Sequence, residues 1–105
     1  MKTIEWAAGL FEGEGSITHT TADGKRYPRL SLGMTDKDVV EEFARVVGYG
    51  KVSDAKQQRE NWKPRYDWQI VKSSEVTRIL IAMLPYFGQR RAYKALNCLD
   101  DIELK

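Results

Sequence analysis

The chain has 105 residues, 42% of them hydrophobic, a formal net charge of +2 and a single cysteine, Cys98. That length suits one domain, taken as 1–105, with a modest core. One cysteine excludes a disulfide framework and a Cys-based zinc site, and it reads as core packing on a helical pattern. No apolar run is long enough to span a membrane and no signal-peptide pattern is present, so a soluble, cytoplasmic protein is expected.

The first element, AAGLFEGEG over 7–15, predicts a helix that starts a turn earlier near Ile4. At about 100° per residue, Ala8, Gly9, Glu12 and Gly13 share an arc of roughly 140° that is nearly bare of side chains. Ile4, Ala7, Leu10 and Phe11 form an apolar stripe opposite. Each glycine costs about 1 kcal/mol in a helix interior, so the bare arc implies close approach of a second helix. Gly15 is expected to end the helix as a C-terminal glycine cap. Glu14 is then left at the C-terminus, where the macrodipole disfavours a carboxylate. If the bare arc meets its own copy about a two-fold axis, two Glu14 carboxylates converge. A divalent cation with oxygen ligands fits between them.

Residues 16–21 read as a strand, Ala22, Asp23 and Gly24 as a hairpin turn, and 27–34 as the partner strand. Leu30, Leu32 and Met34 alternate inward. Ser16, Thr18, Thr20, Arg29, Ser31 and Gly33 face outward. His19 has inward parity and is expected to be half-buried and hydrogen-bonded. Thr35 is the expected N-cap of a second helix, with Asp36 and Asp38 in its first turn and Val39, Val40, Phe43, Val46 and Val47 as its buried stripe. Gly48, Tyr49 and Gly50 break that helix. Strands at 51–56 and 65–71 follow, joined by a polar loop, 57–64, with Trp62 in its tip. Tyr66, Trp68 and Ile70 point inward; Lys51, Ser53, Arg65, Asp67 and Gln69 point outward. Ser74 is the expected cap of a third helix carrying Val76, Ile79, Leu80, Met83 and Leu84, terminated by Pro85. A last helix opens at Gly88, with Arg90, Arg91 and Lys94 near its start and Tyr93, Leu96 and Leu99 as its expected buried side.

Charge is unevenly distributed. Between Gly15 and Thr35 there are three bases and one acid, and from Lys51 to Lys72 six bases and three acids. Asp36, Asp38, Glu41 and Glu42 sit on a helical segment. Basic strands and acidic helices suggest a sheet that faces a polyanion.

The run from Ala7 to Gly15 resembles the LAGLIDADG motif of the homing endonucleases, with Ala7 at the first Leu, Phe11 at the Ile, and Glu12 and Glu14 at the two Asp positions. The resemblance implies an α+β fold in αββαββα order, with an antiparallel saddle-shaped sheet and an additional C-terminal helix. It implies a homodimeric, site-specific double-strand DNA endonuclease acting with Mg²⁺ on a long near-palindromic site, with Ca²⁺ or Mn²⁺ able to substitute for binding. Glu14 would be the catalytic carboxylate and metal ligand, with the carbonyl of Gly13 as a further ligand. Asp36 falls at a position near the family's active site, and Arg90 or Arg91 at a basic position close to the scissile phosphates. Candidates for DNA contact are Ser16, Thr18, Thr20, Arg26, Tyr27, Arg29, Ser31, Lys51, Ser53, Arg65, Asp67 and Gln69. Ala8, Gly9, Glu12 and Gly13 would form the dimer interface, and the protein would act wherever a bacterial, phage or organellar compartment holds DNA.

Two other readings use the same residues. One is a non-cleaving DNA-binding regulator or intron-splicing maturase on the same scaffold, against which the retained Glu14 argues. The other is a small α/β interaction module with no nucleic-acid role.

Overall fold

The computed structural model describes residues 2–55 and 65–103. Lys56 and the 57–64 loop with Trp62 lie outside the described residues. The chain runs α1 (Ile4–Glu14), β1 (Gly15–Ala22), β2 (Lys25–Met34), α2 (Lys37–Val47), β3 (Lys51–Ala55), β4 (Arg65–Ile70), α3 (Ser73–Met83), a 3₁₀ turn at Leu84–Tyr86 and α4 (Gln89–Glu103). This is the expected α+β order with its additional C-terminal helix. The strands form one antiparallel sheet ordered β1-β2-β4-β3.

All four helices pack against the sheet, and strand alternation shows which face they cover. Ile17, Leu30, Leu32, Trp68 and Ile70 are buried, while their neighbours Ser16, Thr18, Arg29 and Gln69 are exposed. The period of two therefore divides the hairpins into a core face and an open face, as expected. Asp23 and Gly24, both at positive φ, close the β1–β2 hairpin.

The core centres on Phe11. Its ring stacks on Phe43 at 6.2 Å and on Phe87 at 6.1 Å, and Phe43 meets Trp68 edge-on at 4.8 Å. Trp68 Nε1 donates to the Tyr49 carbonyl at 2.7 Å, tying the chain after α2 to the sheet. Among the described residues no helix is long and apolar enough to cross a membrane.

Several expectations are corrected by the packing. Gly15 does end α1 as its C-cap, with its N–H bonded to the Phe11 carbonyl, but with extended backbone (φ −87°, ψ 164°) where glycine caps are commonly left-handed, and it is the first residue of β1. It must be glycine because a Cβ there would lie 2.3 Å from Phe11 Cδ1. Ala8 is fully buried in the chain's own core, because α1 is flanked by both α2 and α3. The bare arc is thereby reduced to Gly9 and Gly13, around which a Cβ would meet nothing. The N-cap of α1 is Thr3, whose hydroxyl accepts from Trp6 N at 3.3 Å. The residue capping α2 is Asp36 rather than Thr35, and that capping α3 is Lys72 rather than Ser74.

The buried side of α4 also differs from expectation. Ala95 and Cys98 are fully buried, whereas Tyr93 is 69% and Leu96 49% exposed. Small residues let α4 approach α3, β1 and β2 closely, and the large apolar side chains are turned outward. Leu99 packs at the margin of the core.

Candidate nucleic-acid interface

The open face of the sheet is built row by row across the strands. Ser16 pairs with Ser31, Ser31 with Gln69, and Gln69 with Lys51. The adjoining rows pair Thr18 with Arg29, Thr20 with Tyr27, and Gly33 with Asp67 and Asp67 with Ser53. Thr18 Oγ1 donates to the Arg29 carbonyl at 3.4 Å. Hydroxyls, amides, guanidinium groups and a carboxylate thus form a two-dimensional array of donors and acceptors on a rigid support.

Arg26 does not belong to that array. It shares parity with Leu30 and lies on the helix side, where Nη1 pairs with Asp101 Oδ2 at 3.2 Å. Its Nη2 contacts His19 Nδ1 at 3.2 Å, and His19 Nε2 faces Asp101 at 3.4 Å. A guanidinium only donates, so in this contact Nδ1 is the accepting atom. His19 is half-buried and hydrogen-bonded, as expected. The cluster sets positive charge beside a carboxylate in the last turns of α4, where the macrodipole disfavours it.

Glu14 ends α1 at the edge of the open face. It lines one concavity with Ser16, Arg29, Ser31, Gly33, Arg65, Asp67 and Gln69. The fold therefore brings the motif carboxylate together with six of the expected contact residues, two of them arginines. Lys51, Ser53, Thr18, Thr20 and Tyr27 extend the same face beyond it. Asp36 is outside that lining; it is exposed at the start of α2, with no side-chain capping bond.

Glu12 and Arg91 have a role within the chain. Glu12 Oε1 accepts from Gly88 N at 3.2 Å, which places a carboxylate at the positive N-terminus of α4. Arg91 Nη2 donates to the Glu12 carbonyl at 2.9 Å, and its Nε lies 3.6 Å from Glu12 Oε2. The guanidinium also sits 5.5 Å from the Phe11 ring centroid, and the side chain is only 11% exposed. Arg91 is held as a joint between α1 and α4; Arg90, one residue earlier, is exposed. At the other end of α1, a hydrogen bond to Glu5 pushes the Tyr86 phenol above its usual pKa.

This joint separates the two arginines experimentally. Arg91→Ala leaves Glu12 groups without their partner and is expected to destabilise the fold by about 1–3 kcal/mol. Arg90→Ala is expected to stay within about 0.5 kcal/mol of the parent, as exposed substitutions do. Urea melts on both variants check this, and equal stability losses would contradict it.

Hard oxygen donors, the Glu14 carboxylate and the Gly13 carbonyl, suit Mg²⁺ or Ca²⁺. Among the described residues, no group of three His, Cys, Asp or Glu side chains could hold a metal ion.

A first helix ending in the acidic motif, set on an antiparallel sheet with one open face, is the architecture of the LAGLIDADG homing endonucleases, and this chain has that fold. The homing endonuclease I-CvuI, in complex with its target in the presence of Ca, aligns with a TM-score of 0.76 and 17% identity over 95% of this chain and 65% of its own. The archaeal intron-encoded homing endonuclease I-Vdi141I, complexed with DNA, gives 0.76 and 17% over 95% of this chain and 66% of its own. The LAGLIDADG meganuclease I-CpaMI, bound to uncleaved DNA, gives 0.77 and 12% over 99% and 37%. The chain thus spans about two thirds of I-CvuI, and at these identities the likeness is one of fold. No family model and no curated protein matches the sequence.

Proposed function

We propose that the protein is a site-specific double-strand DNA endonuclease, acting as a homodimer with a divalent cation on a long near-palindromic site. The observation that carries this reading is the placement of Glu14 in one concavity with Arg29 and Arg65 on the open sheet face. A carboxylate at a helix C-terminus is electrostatically disfavoured, and beside a basic DNA-facing surface it has a use as a cation ligand.

Two sheets side by side would lie in the major groove, where Arg29, Arg65, Gln69, Ser31 and Ser16 meet base edges and phosphates. Gly9 and Gly13 let two α1 helices approach backbone to backbone, as exposed positions with open space around them. That approach brings the two Glu14 residues together. Glu14 and the Gly13 carbonyl from each copy would hold Mg²⁺, which when bound supplies charge neutralisation at the phosphate and a more acidic attacking water. Arg90 stabilises developing phosphate charge and, as a guanidinium, stays protonated throughout. Coupling of the two centres through one C2 axis yields a cut in each strand.

The test uses the full chain with a randomised duplex pool. Salt-sensitive retention, followed by recovery of sites cut in Mg²⁺, is the expected result. Wild-type protein should sediment as a dimer, and Gly13→Leu should shift it to monomer or misfolded material. A stable Gly13→Leu dimer with wild-type affinity would remove α1 from the interface, and absent DNA retention would overturn the reading as a whole.

A further inference from the structure

Arg65 and Asp67 alternate outward along β4 and are joined to each other. Arg65 Nε donates to Asp67 Oδ1 at 3.2 Å, and the two side chains are 62% and 40% exposed. A solvated pair of this kind adds little stability. A carboxylate on a surface turned toward phosphates also lowers affinity for every sequence alike. The pair therefore needs another reason to be there.

Gly33 supplies it. Directly across on β2, Gly33 is the registered partner of Asp67. A Cβ at this position would lie 2.2 Å from Asp67 Oδ1, 2.5 Å from Arg65 Nη2 and 2.7 Å from Arg65 Nε. The linked side chains thus lie down in a notch that any other residue would fill. With Nε engaged by the carboxylate, the two terminal nitrogens of the guanidinium remain as a parallel pair of donors. That is the pattern that matches O6 and N7 of guanine in the major groove.

We propose that Gly33 and Asp67 position Arg65 to read one guanine, so that specificity at that base pair depends on a notch and a carboxylate that themselves contact no base. The proposal rests on the DNA-binding reading above. Because the notch opens into the concavity that holds Glu14, the base pair read lies in the part of the site served by the end of α1. Asp67 is here a positioning residue.

The experiment compares full-length parent, Arg65→Ala, Asp67→Ala and Gly33→Ala. Each is used to select duplexes from a randomised pool in Ca²⁺, then titrated against the parent's preferred site and its single-base-pair variants at several salt concentrations. The atoms a Gly33→Ala methyl would meet are the ends of two flexible side chains, so the fold should persist, and a thermal melt verifies it. Arg65→Ala is expected to reduce guanine preference at one position by roughly tenfold or more. Gly33→Ala and Asp67→Ala should each lose at least about threefold of the preference at that same position. Affinity for non-preferred DNA should hold for Gly33→Ala and rise for Asp67→Ala.

Wild-type preference in both variants, with Asp67→Ala merely tightening binding to all sequences, would overturn the proposal and leave the DNA reading standing. A uniform loss in Arg65→Ala with a shallower salt slope would assign Arg65 to a phosphate and likewise overturn it. No preferred sequence for the parent would overturn both.

Discussion

Glu14→Gln is expected to lose cleavage in Mg²⁺ while retaining target binding in Ca²⁺. The substitution keeps the shape and one carbonyl oxygen, so shape alone would predict a mild effect. What it removes is a negative charge at the end of α1, in the concavity shared with Arg29 and Arg65. Deleting a single preorganised electrostatic group typically costs about 10²–10³-fold in rate, and a carboxylate shared by two copies is lost twice. The metal-free protein should be at least as stable as the parent, because a like charge leaves the negative end of a helix. Glu12→Gln should behave differently. It keeps an acceptor for Gly88 N but weakens the tie to Arg91, so stability should fall and some cutting should remain. Parallel cleavage and binding assays on a selected site decide the matter. Wild-type cutting by Glu14→Gln would rule out the catalytic assignment, and binding without cutting by the parent would favour the non-cleaving alternative.

A large stability effect is expected from one methyl group. In Gly15→Ala the new Cβ would be 2.3 Å from Cδ1 and 2.5 Å from Cε1 of Phe11. Phe11 is fully buried between Phe43 and Phe87, so its ring cannot swing aside. The cost should reach or pass the upper end of the range for overpacking, about 3 kcal/mol, a large part of a total stability of about 5–15 kcal/mol. Phe11→Ala alone should cost about 3–5 kcal/mol. Because the two changes share one space, the double variant should be about as stable as Phe11→Ala by itself, a strong coupling in a double-mutant cycle. Strict additivity in denaturant melts would mean that the ring is not what requires glycine at position 15.

Much of this was legible in the sequence where a single period governs burial. In β2 and β4 alternation separates Leu30, Leu32, Trp68 and Ile70 from Arg29, Ser31, Asp67 and Gln69, and both the core and the open face follow. The same rule puts Arg26 on the helix side; basicity misleads there, because its partner Asp101 comes from a helix far along the chain. Hydrophobicity misleads on α4, where close packing favours Ala95 and Cys98 over Tyr93 and Leu96. Helix starts shift by one or two residues, as with Asp36 and Lys72, because the local signals for capping compete with neighbours of similar quality. Arg90 and Arg91 are about 100° apart on a helix, and that Arg91 is the one held against α1 follows only from where Glu12 lies. The Gly33 notch is likewise invisible locally, since it exists only once β2 and β4 are in register.

The joint between α1 and α4 bridges 76 residues from Gly88 to Glu12 and 79 from Arg91 to Glu12. Contacts so distant in sequence are closed by the topology of the whole chain and lack local reinforcement. Seating of the start of α4 against α1 through Gly88 and Arg91 is therefore inherited from complete folding, and α4 acts as a safety catch. On the proposed function, a molecule with α4 undocked would keep the open sheet face but lose the joint that holds Glu12 beside the motif, which would make it a competitor for the site and not a stray cutter.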